Sequence, residues 1–240
     1  MEKPIRDTMD IDNNFSKNLI CYHAPKAHAS EAYRSLRTNI GFLGVDNQIK
    51  TIVVTSPDQA EGKTTTSANI AISMAQAEKK VLIIEADLRK PRVYKYFGVP
   101  NDIGLVDIII DDIEPKTAIK QVKGIENLYI LTCGIIPPNP TEILESTKMD
   151  VLLDRFKDNF DIIIIDTPPV GVLADAAILS KKTDGVILVV ASGESKIEMA
   201  QSAKSALENV NANILGVILT KLNKGSAGAY YNRYSSYYYE

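Results

Sequence analysis

The chain has 240 residues, 45% of them hydrophobic and 24% charged, which is the balance of a folded globular domain with a sizeable core. Its formal net charge is −3, so no general basic surface indicates a nucleic-acid partner. No apolar run approaches the roughly 18 residues that span a bilayer, and the first residues lack a signal-peptide core, so we expect no direct membrane insertion.

The first predicted region is a leader. Residues 1–20 are largely polar, and we expect them to be flexible and to precede a single domain at 21–224. The two cysteines, Cys21 and Cys133, are far apart and lack metal-ligand spacing. They indicate reduced thiols in the cytoplasm rather than a metal site or a redox pair.

A charged helix is predicted next, over residues 30–40, with Ser30 as its N-cap. Glu31, Arg34 and Arg37 fall three residues apart and share one face of this helix, which permits a ladder of ion pairs. The ladder is either an ordinary solvated face or a contact with a neighbouring subunit.

A phosphate-binding loop follows. The β-branched run at 51–55 predicts a buried strand, and apolar side chains spaced three and four apart over 68–75 predict a helix. Between them stands Gly62-Lys63-Thr64, at a helix start whose free amides and dipole favour an anion. We expect Lys63 to reach the β- and γ-phosphates and the Thr64 hydroxyl to ligate Mg²⁺. The predicted phosphate-binding amides are those of Ala60, Glu61, Gly62, Lys63, Thr64 and Thr65.

This loop departs from the strict P-loop pattern, because Pro57 stands where a glycine is expected six residues before the lysine. The alternative interpretation is a chance Gly-Lys-Thr at an ordinary helix start. The flanking strand and helix, together with acidic strand ends further along the chain, favour the P-loop.

A second buried strand ends in two carboxylates, Glu85 and Asp87. Ligands of open α/β sheets bind beyond the carboxyl ends of such strands, so we expect both acids in the site. Arg89, Lys90 and Arg92 follow directly. They form either a solvated turn or a surface that faces an anionic substrate or partner, and the second reading is slightly favoured.

The middle of the chain is predicted to alternate helices, strands and turns. Short helices are predicted at 104–110 and 115–121, and a third strand at 128–132. The proline-rich segment 134–140 predicts a rigid turn that leads into a helix.

A fourth strand, four isoleucines long, ends in Asp166 and is followed by Thr-Pro-Pro. A carboxylate at such a strand tip has the form of a Walker B element, which holds Mg²⁺, often through water. Strands at 186–191 and 214–221 complete the sheet. The alternation of strands and helices predicts an α/β P-loop NTPase fold, with a mostly parallel central sheet flanked by helices on both faces.

The last predicted region, 225–240, holds a tyrosine cluster: six of the eleven tyrosines fall in the last eleven residues. Core packing does not explain it, because the segment has no aliphatic side chains beyond alanine to pack against. It is either an aromatic tail for association or a set of phosphoacceptor hydroxyls. The six residues are Tyr230, Tyr231, Tyr234, Tyr237, Tyr238 and Tyr239.

These features, in this order, resemble the bacterial tyrosine kinases of capsular and exopolysaccharide synthesis, in the split form whose cytoplasmic kinase subunit is separate from its membrane partner. The eukaryotic kinase signatures His-Arg-Asp and Asp-Phe-Gly are absent from the sequence. The motifs that carry the resemblance are Glu31-x-x-Arg34-x-x-Arg37, the P-loop at 55–65, Glu85-Ala-Asp87-Leu-Arg89, Asp166-Thr-Pro-Pro and the tyrosine cluster.

The resemblance implies an enzyme that uses ATP and Mg²⁺ to phosphorylate tyrosine on the tail of a neighbouring protomer and on other proteins. It implies a ring-like homo-oligomer formed through the helix that carries Glu31, Arg34 and Arg37. It also implies a transmembrane activator, active in polysaccharide chain-length control and export, that recruits the chain to the inner face of the cell membrane.

Roles for the acids follow from this resemblance. We expect Lys63 to hold the triphosphate and Thr64 and Asp166 to organise Mg²⁺ with help from Asp87. Asp87 or Glu85 would accept the proton of the incoming tyrosine hydroxyl. Lys63, Asp87, Glu85 and Asp166 are thus the predicted catalytic residues.

Two departures from the family bear on rate. Gln59-Ala60 stands where the family has Pro-Gly, and the alanine is unstrained only if its φ is negative; otherwise it costs about 1 kcal/mol. Glu85 replaces an aspartate. Two other classes stay open: a partitioning-type or septum-site ATPase, disfavoured by Asp58 where those proteins have lysine, and a nucleotide-binding scaffold with little kinase activity.

Overall fold

The computed structural model describes residues 15–44 and 48–222. The tyrosine cluster and residues 1–14 of the predicted leader lie outside these ranges. The strands in the described part are β1 Thr51–Thr55, β2 Val81–Glu85, β3 Lys120–Gln121, β4 Leu128–Leu131, β5 Ile162–Asp166, β6 Gly185–Ala191 and β7 Ile214–Thr220. The helices there are α1 Ile20–His23, α2 His28–Leu43, α3 Lys63–Ala75, α4 Val93–Phe97, α5 Leu105–Asp111, α6 Pro115–Ala118, α7 Pro140–Glu145, α8 Thr147–Lys157, α9 Asp175–Ser180 and α10 Ile197–Glu208.

The strands form one sheet in the order β3-β4-β2-β5-β1-β6-β7. All neighbouring pairs are parallel except β3 and β4, which are antiparallel. The three central strands β2, β5 and β1 are buried along their whole length, as expected for β-branched runs covered on both faces. The predicted fold class, a mostly parallel sheet of the P-loop type, is therefore confirmed.

Helices cover both faces of the sheet and enclose two hydrophobic cores. Strand residues alternate between them: Val53 and Ile165 face one core, whereas Ile52, Val54 and Ile164 face the other. Helices α5 to α10 complete the first core, and α1 to α4 complete the second. Burying each isoleucine contributes about 1.5–3 kcal/mol relative to exposure, so this alternation stabilises the layered arrangement.

Three predictions differ in the structure. Ser30 is not the N-cap of α2, which begins at His28; the Ser30 hydroxyl lies within the helix and donates to the carbonyls of Ala24 and Ile20.

The second difference is a helix end. The helix predicted at 115–121 ends at Ala118, and Lys120 and Gln121 instead pair with Ile130 and Tyr129 as an edge strand. Burial of the β4 edge decides this outcome, which local propensity does not encode.

The predicted leader is ordered at its end. Leu19 is fully buried, and the Phe15 ring packs edge-on against Tyr22 and Phe97. Phe15 and Leu19 therefore join the second core through their aromatic and aliphatic side chains.

The register of the sheet aligns the strand ends that matter for function. Glu85 at the end of β2 pairs with Asp166 at the end of β5, and Asp166 also pairs with Val54 of β1. Because the strands are parallel, these carboxyl ends and the loop that leaves β1 meet at one edge of the sheet.

Candidate active site

The predicted P-loop joins β1 to α3 in the structure. Helix α3 begins at Lys63, directly after Gly62, whose φ of 95° is left-handed. A Cβ on Gly62 would lie 3.5 Å from the nearest atom of Thr220, so the backbone angle rather than space requires glycine here. The amides of the first turn of α3 therefore open onto the carboxyl edge of the sheet.

The Glu61 side chain anchors this loop to the neighbouring strands. It is buried, and its carboxylate accepts hydrogen bonds from the Ala191 amide and the Ser195 hydroxyl. The Thr220 hydroxyl donates to the Glu61 carbonyl at 2.6 Å. The sequence indicated only the amide of Glu61 as functional. Its side chain ties the phosphate loop to the end of β6, and its carbonyl ties the loop to the end of β7.

Ala60 adopts the backbone conformation that is costly for alanine. Its φ is +61°, in the left-handed region, and its side chain is exposed. An L-residue there carries about 1–2 kcal/mol of strain. The loop thus keeps the backbone shape that a glycine would adopt freely, at the expense of stability.

We expect Ala60→Gly to stay within about 1 kcal/mol of the wild-type free energy of unfolding, because relieved strain offsets the greater entropy of the unfolded chain. Ala60→Val should be less stable than Ala60→Gly by about 1–2 kcal/mol, since β-branched residues are poorly tolerated at positive φ. Denaturant unfolding measures both variants. Equal stability of the two would contradict a left-handed Ala60.

Lys63, Asp87 and Asp166, predicted from three separate stretches, lie together. The Lys63 Nζ atom is 3.4 Å from Asp87 Oδ2. The Thr64 hydroxyl donates to Asp166 Oδ2 at 2.7 Å, and the Ser67 hydroxyl donates to Asp166 Oδ1 at 2.9 Å. Ser67 was not predicted; its position three residues after Thr64, on the same helix face, is the signal that identifies it.

Glu85 is fully buried beside this group. Its Oε2 atom accepts the amides of Arg92 and Val93, both at 2.6 Å, and so fixes the start of α4. Its Oε1 atom is buried and has no hydrogen-bond partner within the described residues. Glu85 therefore fixes the loop that joins β2 to α4 and carries Asp87.

Burial raises the pKa of two carboxyl groups at this edge. For Glu85 the cause is loss of water, followed by repulsion from Asp166, and its pKa lies well above the usual range. For Asp166 loss of water is again the main cause, and the nearby Lys63 ammonium opposes it. Packing these acids together costs stability at neutral pH, which a bound cation would offset.

We expect Glu85→Gln to stabilise the fold at pH 8 by about 1 kcal/mol or more. The folded carboxyl has the higher pKa, so between the unfolded and folded pKa values the native state binds more protons. Wild-type stability therefore falls as pH rises through that window, whereas glutamine does not titrate. The gain should be small near pH 4 and grow toward pH 8.

Denaturant unfolding of Glu85→Gln and wild type across this pH range gives the difference curve. Glu126→Gln, at an exposed position, is the matched control and should show no such growth. A gain that does not change with pH would point to packing rather than to ionisation of Glu85.

The predicted interface residues make contacts within the chain. Arg34 Nε donates to Glu31 Oε2 at 2.7 Å, and Arg34 Nη1 donates to the Pro25 carbonyl at 2.8 Å. Arg37 Nη1 donates to the Ser73 carbonyl of α3 at 2.6 Å. The Arg37 bond holds α2 against the P-loop helix, whereas the Arg34 bonds stay within α2 and the segment before it. The contact with a second subunit stays a prediction.

A further contact with the P-loop comes from α4. The Tyr96 and Thr65 hydroxyls lie 2.9 Å apart. Tyr96 carried no recognisable signal in the sequence, because nothing local to it indicates that α4 packs beside the phosphate loop.

Comparisons with known proteins agree with this geometry. The family model described as AAA domain matches residues 49–215. The tyrosine-protein kinase YwqD of Bacillus subtilis is 42% identical over 221 residues, which cover 91% of this chain and 93% of that protein.

Solved structures give the same result. The crystal structure of the chimerical protein CapA2B2 has a TM-score of 0.84 and 37% identity, and covers 87% of this chain and 92% of that one. The septum site-determining protein MinD of Pyrococcus horikoshii is less similar, with a TM-score of 0.61, 27% identity, and coverage of 71% and 69%. The ATPase alternative is therefore not favoured. With this similarity extending over nearly the whole chain and with the P-loop and both acidic strand ends in one place, the chain belongs to the bacterial tyrosine-protein kinases.

Proposed function

We propose that this kinase uses ATP and Mg²⁺ to phosphorylate the C-terminal tyrosine cluster of a neighbouring copy. The observation that supports this most is the convergence of Lys63, Asp87 and Asp166 at the carboxyl edge of the sheet. A cation, two acids and a loop of helix N-terminal amides suit phosphoryl transfer, which depends on positioning and charge neutralisation.

The residues present fit a magnesium ion. Thr64 supplies a hydroxyl and Asp166 and Asp87 supply carboxylates, the hard oxygen donors that Mg²⁺ prefers. Mg²⁺ is commonly held by one or two carboxylates, water and substrate phosphates, so a dedicated cage of protein ligands is not required. When bound, such an ion would neutralise phosphate charge.

Asp87 is better placed than Glu85 to take the proton of the acceptor. The Asp87 side chain is 10% exposed at the edge of the site, whereas Glu85 is fully enclosed and one of its oxygens already accepts two amides. As the tyrosine oxygen forms its bond to phosphorus and ADP leaves, the hydroxyl proton passes to Asp87. Lys63 holds the phosphate charge during this step.

Strand β7, the last described strand, ends beside the P-loop. The last residue of β7, Thr220, bonds to the P-loop carbonyl of Glu61, and the tyrosine cluster begins ten residues later at Tyr230. We infer transfer between copies from the family resemblance, so the test must separate it from transfer within one copy.

A mixture of two variant chains distinguishes transfer between copies from transfer within one copy. The full chain carrying Lys63→Met supplies tyrosines without activity, and the wild-type chain ending at Gly225 supplies activity without the cluster. Intact mass after incubation of the mixture with ATP and Mg²⁺ should show phosphate on the full-length variant. No phosphate in the mixture, with phosphate on the wild-type full chain alone, would restrict the reaction to one copy.

The same measurement on wild type separates the function classes. Phosphate on tyrosine is the expected result. Released inorganic phosphate with an unchanged protein mass would indicate an ATPase. Neither product, even with the cytoplasmic segment of the membrane partner added, would indicate a nucleotide-binding scaffold.

We further propose that a membrane protein recruits and activates the kinase in capsular or exopolysaccharide synthesis. No helix within residues 15–44 or 48–222 is long and apolar enough to cross a bilayer. The similar chimerical protein supports a kinase that works with a second polypeptide.

Phosphorylation should disperse the ring-like homo-oligomer that the family resemblance implies. Each phosphate adds roughly −1.5 to −2 charges at neutral pH, so several on each tail would make neighbouring tails repel. Light scattering of unmodified and fully phosphorylated protein should show a fall in mass toward the monomer. An unchanged mass would contradict this switch.

A further inference from the structure

A short basic loop, residues 89–92, connects β2 to α4 beside the proposed catalytic acids. It carries Arg89, Lys90 and Arg92, and no acidic residue follows until Asp102. All three basic residues are exposed. The roles derived above for Lys63 and the acids leave these three cations unused.

The backbone of the basic loop is held inward. The Lys90 amide donates to Asp87 Oδ1 at 3.0 Å, and the Arg92 amide donates to Glu85 Oε2 at 2.6 Å. Pro91, between them, has a restricted φ. The loop is thus ordered by two acids of the site, and it presents the side chains of Lys90 and Arg92 to solvent next to Asp87.

Arg89 differs from Lys90 and Arg92 because it already forms an ion pair. Its Nε atom lies 3.4 Å from Oδ2 of the buried Asp175, and its Nη2 atom donates to the Thr141 hydroxyl at 3.0 Å. Lys90 and Arg92 form no ion pair with any acid in the described ranges. Two ordered cations without a counter-ion, beside a site that receives tyrosine, indicate an anionic ligand.

The tyrosine cluster that we propose as the phosphate acceptor also identifies the anion. This identification rests on the proposed function. In the segment 225–240 the charged side chains are Arg233 and Glu240, which cancel, so the unmodified segment offers these cations little attraction. A phosphotyrosine adds roughly −1.5 to −2 charges and three acceptor oxygens.

The spacing of the tyrosines suits this arrangement. Tyr231, Tyr234 and Tyr237 are three residues apart, which in a polyproline II conformation is one full turn of about 9 Å and would put their side chains on the same side. When one hydroxyl reaches Asp87, the phosphate of its neighbour would lie above the adjoining loop. We propose that Lys90 and Arg92 form a phosphotyrosine-binding subsite that holds a modified tyrosine while the next one enters the active site.

With this subsite, a tyrosine cluster that already carries a phosphate is recognised better by the kinase than an unmodified cluster. The first phosphate on a tail raises the affinity of that tail for the active site, so later phosphates follow preferentially on tails that already carry one. Because both cations are exposed, the effect is electrostatic and weakens with salt.

Peptide binding tests the subsite without phosphoryl transfer. Fluorescence anisotropy with the full chain and no ATP compares two peptides of sequence 225–240, one unmodified and one with phosphotyrosine at Tyr234. The phosphopeptide should bind about tenfold more tightly at low ionic strength, and this ratio should fall toward one in the double variant Lys90→Ala, Arg92→Ala.

Two further double variants are controls. Exchange of the cations, Lys90→Arg with Arg92→Lys, should keep the ratio. Lys123→Ala with Lys181→Ala removes two exposed lysines from loops before β4 and β6, at the opposite end of the strands, and should also keep it. Equal affinity of wild type for the two peptides would overturn the subsite, as would a full ratio in Lys90→Ala, Arg92→Ala.

A membrane surface is the competing anion. If the Lys90→Ala, Arg92→Ala variant loses binding to phosphatidylserine vesicles and keeps the peptide ratio, the loop binds lipid and the subsite is wrong. The intact mass of the wild-type protein after incubation with ATP and Mg²⁺ distinguishes failure of the subsite from failure of the proposed kinase function. Phosphate on the tail with equal peptide affinities rejects only the subsite, whereas a tail that stays unmodified even with the cytoplasmic segment of the membrane partner present rejects the proposed function.

Discussion

Lys63→Met is expected to abolish phosphorylation of the terminal tyrosines, with a loss in rate of about 10³-fold or more. Lys63 begins α3 at the point where the loop amides open, and its ammonium is 3.4 Å from Asp87. Methionine keeps the length of the side chain and removes the charge that would stabilise the transferred phosphoryl group. Phosphotyrosine measured by intact mass gives the rate.

Lys63→Met should also raise the pKa of the buried carboxyl groups around position 63. Lys63 opposes the raised pKa of Asp166, so its removal leaves the buried carboxyl groups without their nearest cation. Lys63→Arg separates charge from geometry, because it keeps a cation but presents a wider fork. We expect Lys63→Arg to preserve stability better than Lys63→Met and to remain nearly inactive.

Lys204→Met is the matched control for the substitution itself. Lys204 lies on α10, is 58% exposed and pairs with Glu208. Its loss should leave phosphorylation unchanged. Substantial labelling of Lys63→Met would remove Lys63 from the catalytic role, whatever its effect on nucleotide affinity.

Asp87→Asn is expected to lower phosphoryl transfer by about 10²- to 10³-fold, as for loss of a general base or a metal-binding carboxylate. Asparagine preserves the shape, and its carbonyl oxygen can still accept the Lys90 amide that Asp87 now accepts at 3.0 Å. The loss should therefore come from chemistry rather than from disorder of the loop.

Single-turnover labelling measures the chemical step of Asp87→Asn, and nucleotide-binding measurements show whether the loop and the ATP site are still formed. ATP affinity without Mg²⁺ should change little, whereas the labelling rate should collapse. Asp102→Asn, at a side chain 67% exposed and paired with Lys120, controls for the same change elsewhere. A labelling rate above one tenth of wild type would exclude Asp87 as the residue that takes the proton.

Burial of Glu85 lowers the stability of the fold but orders the part of the site that carries Asp87. Glu85 is fully buried with an oxygen that lacks a partner, and its pKa is raised by loss of water. Such a group is retained where it serves a purpose beyond packing. Here it orders the start of α4 and thereby places both Asp87 and the basic loop.

Local pattern was enough to predict the central strands and the P-loop. Four isoleucines ending in Asp166, and Gly62-Lys63 ahead of a helical pattern, identify a buried strand and a phosphate loop from neighbouring residues alone. The parallel fold follows from the alternation of such strands with helices, and it places Asp87 and Asp166 at one edge.

Other features depended on contacts between residues far apart in the chain. The positive φ of Ala60, the bond from Ser195 to Glu61, the contact of Tyr96 with Thr65 and the edge pairing of Lys120 with Ile130 all belong to this group. The amino-acid sequence by itself determined which segments are buried and which chemical groups stand at strand ends, because those properties depend on local composition and period. Only the tertiary structure decided which partner each polar group meets, because buried donors and acceptors must be satisfied by whatever the packing of distant elements brings within reach.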